Sequence, residues 1–471
     1  MRPKINTQTE LNFQPSDLAI TQAYYAKYEA ISSILDENPK ILDLVHADLR
    51  AALEAEAEAA SRRGGDNFEF TSDNVLRIAL CQIIESCSLR QIVIRIDDSN
   101  FLRGFVRIYN RGMMDFTTLC RLKNQITAKT WKKINRLLAR AAARSGAISG
   151  ENVRLDTTAI ETNIHWPTDS SLLWDTYRVL ARYIERIRQI DPEVVGDRRL
   201  LLKKVKRLQA KIARKIAKHK KADVFKPLYS DLIRLVEGIC QWSDTIGQSI
   251  EIGALSRRYG PTTEAELTFL GQEMSDFCAL GRRVIDQARR RVIHREQVPN
   301  QEKIFSIFES HTELIKRGKA GRPIEFGHMV QIQQVSEKFI TDYDVFERKP
   351  VEHELLEPAV ESHKKLFGDY PGRVSADKGY YRSRDQIAQL NQKVELVSIA
   401  KKGRRTAEEE QRETDPAFRH AQRFRAGVEG TISYLKRVLG LARCMNKGWE
   451  HYVATVGAAV FAHNLLILAR C

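Results

Sequence analysis

Along the first 150 residues the apolar positions recur at helical spacing. Leu76, Leu80, Ile83 and Cys87 follow steps of four, three and four behind Thr71-Ser72-Asp73, a polar start signal. Ser16-Asp17 predict the cap of a run to about Leu35, and Pro39 opens a second run that ends at the Gly64-Gly65 break. Short helices are expected around 89–96 and 117–126, and a longer one over 128–143. Compact helices with short connections fit a helix-turn-helix-like module. They also fit a plain helical bundle.

At Ser145-Gly146 the texture changes. Residues 153–160 are short and rich in β-branched side chains, which predicts a strand. From Ser170 to about Glu296 long helices return. There Leu201, Val205, Leu208, Ile212 and Ile216 form one apolar seam, expected to pack on a helix near 232–239 and to leave the intervening cations outward. Alternating apolar positions then predict strands at 324–332 and 338–345, with a turn at Ser336-Glu337. A helix over 355–367, short strands at 373–376 and 395–399, a charged loop over 401–413 and helices from about Ala417 complete the chain. Strands interrupted by helices give an α/β core whose first strand is cut from its second by a helical insertion of more than a hundred residues.

Length and charge sharpen this picture. The 471 residues make roughly three domains, and 43% hydrophobic with 29% charged residues is ordinary globular composition. The net charge of +16 is not ordinary, and it favours a polyanionic partner. Most of it is localised. Residues 198–226 carry 13 Lys/Arg against Asp223, and residues 282–295 carry six Arg against Asp286. A face tracking DNA and a merely solvated helical face both fit such a window. The seven cysteines are odd in number and never form a C-x-x-C pair, which argues against a disulfide framework and a zinc ribbon. The opening residues lack the apolar core of a signal peptide. The uncharged run 452–469 contains His463-Asn464 and reads as a buried C-terminal helix, so a cytosolic protein without a membrane span is expected.

A polyanionic partner directs attention to phosphodiester chemistry, in which the phosphate repels anionic nucleophiles. Two divalent cations about 3.5–4 Å apart overcome this, and Mg²⁺ prefers carboxylates plus water. Three acids stand where different elements could bring them together. Asp156 lies inside the first apolar strand, where an unpaired carboxylate is expensive to bury. Asp377 follows the short strand Val374-Ser375-Ala376, and ligands bind at the carboxyl ends of strands in open α/β sheets. Glu429 shares a helical face with Arg425 and Lys436, at offsets of four and seven. Each has a bland reading alone: an edge acid, a strand-end acid, an Arg–Glu surface pair worth a few tenths of a kcal/mol.

Taken together, the order of these acids resembles that of the DDE transposases. Leu155-Asp156-Thr157-Thr158, followed by Glu161-Thr162-Asn163-Ile164-His165-Trp166-Pro167-Thr168-Asp169, is similar to the first-Asp block of bacterial insertion-sequence transposases, especially the ISNCY group. Ala376-Asp377-Lys378-Gly379-Tyr380 resembles their second-Asp block. Arg425-x3-Glu429-x6-Lys436 resembles the Y-R-E-K signature, with Gln422 standing where the Tyr is expected. The helices of 70–145 are also similar to the N-terminal domain common in this group.

The resemblance implies an RNase H-like mixed-sheet catalytic core over 147–169 and 297–471. It also implies a helical N-terminal domain over 1–146 that binds DNA, and a basic helical insertion over 170–296. It makes Asp156, Asp377 and Glu429 the ligands of two Mg²⁺ or Mn²⁺ ions, and Arg425 and Lys436 phosphate contacts. Lys211, Lys215 and Lys218 are expected to follow the DNA backbone from the insertion. The implied activity is cleavage at the ends of an insertion sequence and joining of the 3′-hydroxyl to target DNA. The implied partners are the terminal repeats, the target duplex and a second copy of the chain, in the bacterial cytoplasm at the nucleoid. An RNase H-like nuclease without strand transfer and an inactive DNA-binding derivative stay open. A tyrosine recombinase, suggested by His420-Ala421-Gln422-Arg423 with Tyr434 and Tyr452, leaves the three acid blocks unexplained. His328 reads as a packed core residue, and Asp169 as the cap of the helix beginning at Ser170.

Overall fold

The computed structural model describes residues 17–60, 70–218, 224–256, 258–316 and 323–470. The amino-terminal region holds α1 (Ala19–Glu37), α2 (Pro39–Ala60), α3 (Ser72–Ile84), α4 (Leu89–Asp98), α5 (Asn100–Phe105), α6 (Phe116–Asn124) and α7 (Ala128–Arg144). Thr71 caps α3 and Ser88 caps α4, each through a reciprocal capping box, and Thr127 caps α7. The expected Asp17 cap is not made. Leu18 occupies the cap position of α1 without a side-chain bond, while Ser16 and Gly64-Gly65 lie outside the described residues.

After β1 (Asn152–Thr162) the chain leaves the sheet through α8 (Asp169–Ile190), α9 (Pro192–Val195), α10 (Leu202–Lys218), α11 (Lys226–Leu255) and α12 (Pro261–Ala288). These helices surround their own apolar core, centred on Leu180, Ile184, Val236, Ile246, Leu270 and Val284. The α10 seam is shorter than its spacing suggests. Val205 and Ile212 are buried, but Leu201 and Ile216 at the two ends are exposed. The helix packs on α8 as well as on α11, and the Leu201 N–H just before its start donates to the Tyr177 hydroxyl of α8 at 2.8 Å. The cap of α8 also differs from expectation. Thr168 accepts the Ser171 N–H, and Asp169 is the first helical residue. The buried Asp169 carboxylate accepts hydrogen bonds from Arg291 at 2.8 Å and from Gln287 at 2.8 Å, so it ties the outgoing chain to the returning one.

The returning chain forms β2 (Glu313–Lys316), β3 (Ile324–Val335), β4 (Ile340–Phe346), α13 (Leu356–Phe367), β5 (Arg373–Ser375), α14 (Arg384–Asn391) and β6 (Leu396–Ser398). It ends with α15 (Ala407–Thr414), α16 (Pro416–Arg437), β7 (Arg443–Cys444) and α17 (Trp449–Leu468). The stretch 401–413, expected as a charged loop, therefore contains a helix. Thr406 and Glu409 close a capping box at its start, a T-x-x-E signal that its high charge obscures.

The sheet is mixed, with the order β2-β3-β1-β5-β6. Strand β3 runs antiparallel to β1, β2 and β4, whereas β5 is parallel to β1 and to β6. The extra strand β2 makes Asp377 follow the fifth strand in chain order, where four were expected. Helix α17 is long and apolar enough to cross a membrane, but 78% of its apolar window is buried within the protein. Phe461 packs on Trp131 of α7, and Asn464 bonds both backbone groups of Ile340. It is a core helix.

Candidate active site

The site begins with a discontinuity in the sheet. Strand β5 pairs with β1 only through Asn152, Val153 and Arg154, and β7 pairs only with Glu161 and Thr162. Between them, over residues 155–160, that edge of β1 meets no strand among the described residues. Asp156 lies in this interval, opposite Ile332 of β3. A cleft of about 860 Å³ opens here, and Asp156, Asp377, Glu429, Arg425 and Lys436 all line it.

Each acid reaches the cleft from a different element. Asp377 comes directly after β5 and Ala376, and its Oδ1 accepts the Gly379 N–H at 2.8 Å. That bond caps the 3₁₀ turn Lys378–Tyr380 and fixes the carboxylate at the strand's end. Glu429 projects from α16 and is largely exposed. Arg425, one turn earlier, stands between Asp156 at 3.6 Å and Glu429 at 3.5 Å. Both distances exceed the roughly 2.7–2.9 Å of a good charge-assisted bond. Arg425 Nε is also buried without a hydrogen-bond partner. The guanidinium is thus held over the acids with donor capacity in reserve. Lys436 donates to the Ala159 carbonyl at 2.5 Å, within the unpaired stretch of β1.

Helix α16 is held against the sheet by two polar side chains. Arg154, two residues before Asp156, is buried and donates to Gln334 at 2.7 Å and to the Phe424 carbonyl at 2.7 Å. Its guanidinium lies over the Phe424 ring, and a Cβ on Gly427 would collide with it, so glycine is what permits the approach. Burial lowers the Arg154 pKa to about 10. Gln422 donates to the Ser398 carbonyl at 2.6 Å and to the Ala376 carbonyl at 3.3 Å. It therefore joins α16 to the ends of β5 and β6, one residue before Asp377. Gln422, Arg425, Glu429 and Lys436 lie on one helical stripe, which was the readable signal for the first of them.

A fourth carboxylate had no readable signal. Glu352, in the 3₁₀ turn Glu352–Glu354, accepts the Thr157 hydroxyl at 2.7 Å and lines the cleft. Its other oxygen would collide with a Cβ on Gly379, so the glycine admits it beside the Asp377 turn. Lys316, Lys349 and Lys378 also line the cleft, placing cations among these acids.

The electrostatics single out Asp156. Burial first, and then the neighbouring Asp377, raise its carboxyl from the ordinary 3.8 to about 6. The Thr157 N–H and Arg425 only partly offset these effects. Under-compensated carboxylates with hard oxygen donors fit a divalent cation such as Mg²⁺ in kind. Among the described residues, however, no three His, Cys, Asp or Glu side chains stand close enough to form a metal-holding group.

The remaining candidates lie elsewhere. Lys211, Lys215 and Lys218 sit on α10 and do not line the cleft. His328 is buried in β3, bonded to His311 at 2.7 Å and held near pKa 4 chiefly by burial. Tyr452 is buried with its hydroxyl on the Ile160 carbonyl, and neither it nor Tyr434 lines the cleft.

Residues 318–465 match the family model of the transposase DDE domain. This stretch contains Asp377, Gln422, Arg425, Glu429 and Lys436, whereas Asp156 precedes it. No curated protein and no solved structure matches the chain.

Proposed function

We propose that this chain, which carries a transposase DDE domain over residues 318–465, cuts DNA at the ends of an insertion sequence and joins the freed 3′-hydroxyl to target DNA. The observation carrying this reading is the shared cleft of Asp156, Asp377 and Glu429, which are separated by 221 and 52 residues in sequence. The mixed sheet, with Asp156 in its first strand and Asp377 at a strand end, supports an RNase H-like core, and the sequence words around the two Asp support the ISNCY type.

Two Mg²⁺ or Mn²⁺ ions held by these three carboxylates would activate the attacking oxygen and stabilise the leaving one. In the first step water attacks the phosphorus at the element's end, and the 3′-oxygen leaves with a proton. In the second, that 3′-hydroxyl attacks a target phosphodiester and displaces the target's own 3′-oxygen. Both are in-line displacements, so one cleft serves both. Arg425 meets the phosphate through its terminal N–H groups, which its loose approaches to Asp156 and Glu429 leave available. Lys436, anchored on β1, adds positive charge on the same helical stripe. Arg154 and Gln422 position α16 and the strand ends without touching DNA. The amino-terminal helices and the basic insertion hold the duplex, and joining two ends requires at least two copies of the chain.

The test uses linear duplexes bearing the DNA that flanks the gene, with 3′-ends already exposed. Their joining to a plasmid in the presence of Mg²⁺ or Mn²⁺ supports transposition. Cleavage of intact ends with no joining would leave only a nuclease.

A further inference from the structure

Charge is concentrated in a third place, on α7. Ala128–Arg144 contains six Lys/Arg on its exposed and half-buried faces and no acid. Lys129, Lys133, Arg136, Arg140 and Arg144 are all exposed, at steps of four, three, four and four. They form one straight ridge about 22 Å long at about 1.5 Å per residue. The opposite face is fully used. Trp131, Ile134, Leu138 and Ala142 are buried, and Asn135 bonds the Gly457 carbonyl of α17 at 2.9 Å.

The ridge has little internal compensation. Lys129, Lys133, Arg140 and Arg144 form no ion pair among the described residues, and Arg136 has only a 3.9 Å approach to Asp342. The facing acids, Asp342 and Asp344 of β4, are taken by Lys132 at 2.6 and 3.0 Å. Beside the ridge lies a hollow of about 300 Å³ lined by Arg136 and Arg140 of α7 and Lys365 of α13 together with Asp342 and Asp344. No large apolar side chain of α7 is exposed, so the ridge offers nothing to the acyl layer of a membrane.

We propose that, among the amino-terminal helices, it is this ridge that meets duplex DNA, apart from the cleft and the insertion, and that it binds the phosphate backbone and reads no bases. The proposal rests on the reading that duplex DNA is the substrate. A helix sunk to half its circumference in the core cannot enter a groove, so its cations meet phosphates along the outside of the duplex. Its contribution is therefore independent of sequence and strongly dependent on salt.

The test is a salt titration of the full chain on a 30-bp duplex of arbitrary sequence, read by fluorescence anisotropy. The variant carries Lys129→Gln, Lys133→Gln, Arg140→Gln and Arg144→Gln, and circular dichroism checks its fold. The plot of log affinity against log salt should flatten by up to about 3.6, at about 0.9 for each phosphate no longer neutralised. The double variant Lys133→Gln/Arg140→Gln should give about half that change by the same count. A wild-type slope in either folded variant would overturn the proposal and leave a solubilising ridge. A flattening seen on single-stranded RNA and not on the duplex would overturn it in favour of RNA. Failure of the wild-type chain to bind any duplex would instead sink the DNA reading on which the proposal depends.

Discussion

Replacing Asp156 with Asn should stabilise the metal-free protein while destroying its activity. Asp156 is 15% exposed at its side chain, and its carboxyl is held near 6 where an unfolded aspartate titrates near 3.8. The folded state therefore prefers the neutral acid, and ionising it costs stability. At about 1.4 kcal/mol per pH unit, the cost at pH 8 is about 3 kcal/mol. It declines as pH falls below about 6 and vanishes below 3.8, where both states are protonated. Asn carries no charge and avoids the cost, in which the loose pair with Arg425 is already counted. The net gain is thus about 3 kcal/mol at pH 8 and close to zero at pH 4. Urea unfolding of both proteins in EDTA, at pH 8, 6 and 4, measures it. Adding Mg²⁺ should stabilise the wild type and leave Asp156→Asn unmoved. Equal unfolding midpoints at pH 8 would refute the reasoning, because the cleft would then not be holding an under-compensated carboxylate.

Other expectations are as specific. Gln422→Glu keeps the shape but sets a carboxylate against the Ser398 and Ala376 carbonyls; cleavage should fall at least tenfold, the effect of a misplacement worth about 1.4 kcal/mol, with gel-shift affinity unchanged, and equal loss of both would indicate misfolding. His328, His363 and His463 are all held near pKa 4 chiefly by burial, below the ordinary 6.5. Their contribution is complete above pH 6.5 and is lost as pH falls toward 4, by up to about 3 kcal/mol each; His363→Phe should remove its share of that pH dependence, and an unaltered dependence would contradict it. Neutralising Lys211, Lys215 and Lys218 to Gln should weaken binding to all duplexes alike and flatten the salt slope by up to about 2.7; an unchanged slope would mean that they only solubilise α10.

What the sequence disclosed follows from the range of the forces involved. Caps and periodicities act within a few residues, so α3, α4 and α7, the strand β1 and the hairpin β3–β4 are legible in order and type. The separate acids were legible as words, since each sits in a short motif. Their shared cleft depends on the gap left in the sheet beside β1, which is tertiary. Glu352 lies in an unpatterned run and acquires its place only through Thr157 and the Gly379 turn. Asp169 resembled a cap because it begins a helix, but its true partners, Gln287 and Arg291, lie about 120 residues away in sequence. In the sequence α7 was legible only as a helix, and its cation ridge emerges once burial of the opposite face is known.

The central claim is that Asp156, Asp377 and Glu429 act as one unit on DNA. Its most direct measurement is the single-turnover cleavage rate of a duplex carrying the element's own end, in Mg²⁺ or Mn²⁺. Wild type should be compared with Asp156→Asn, Asp377→Asn, Glu429→Gln and the Asp156→Asn/Asp377→Asn pair. The account predicts that each single change costs about as much as the pair, because groups acting as a unit are grossly non-additive, while duplex binding persists. Cleavage within a few-fold of wild type in any one of the three single variants would contradict it.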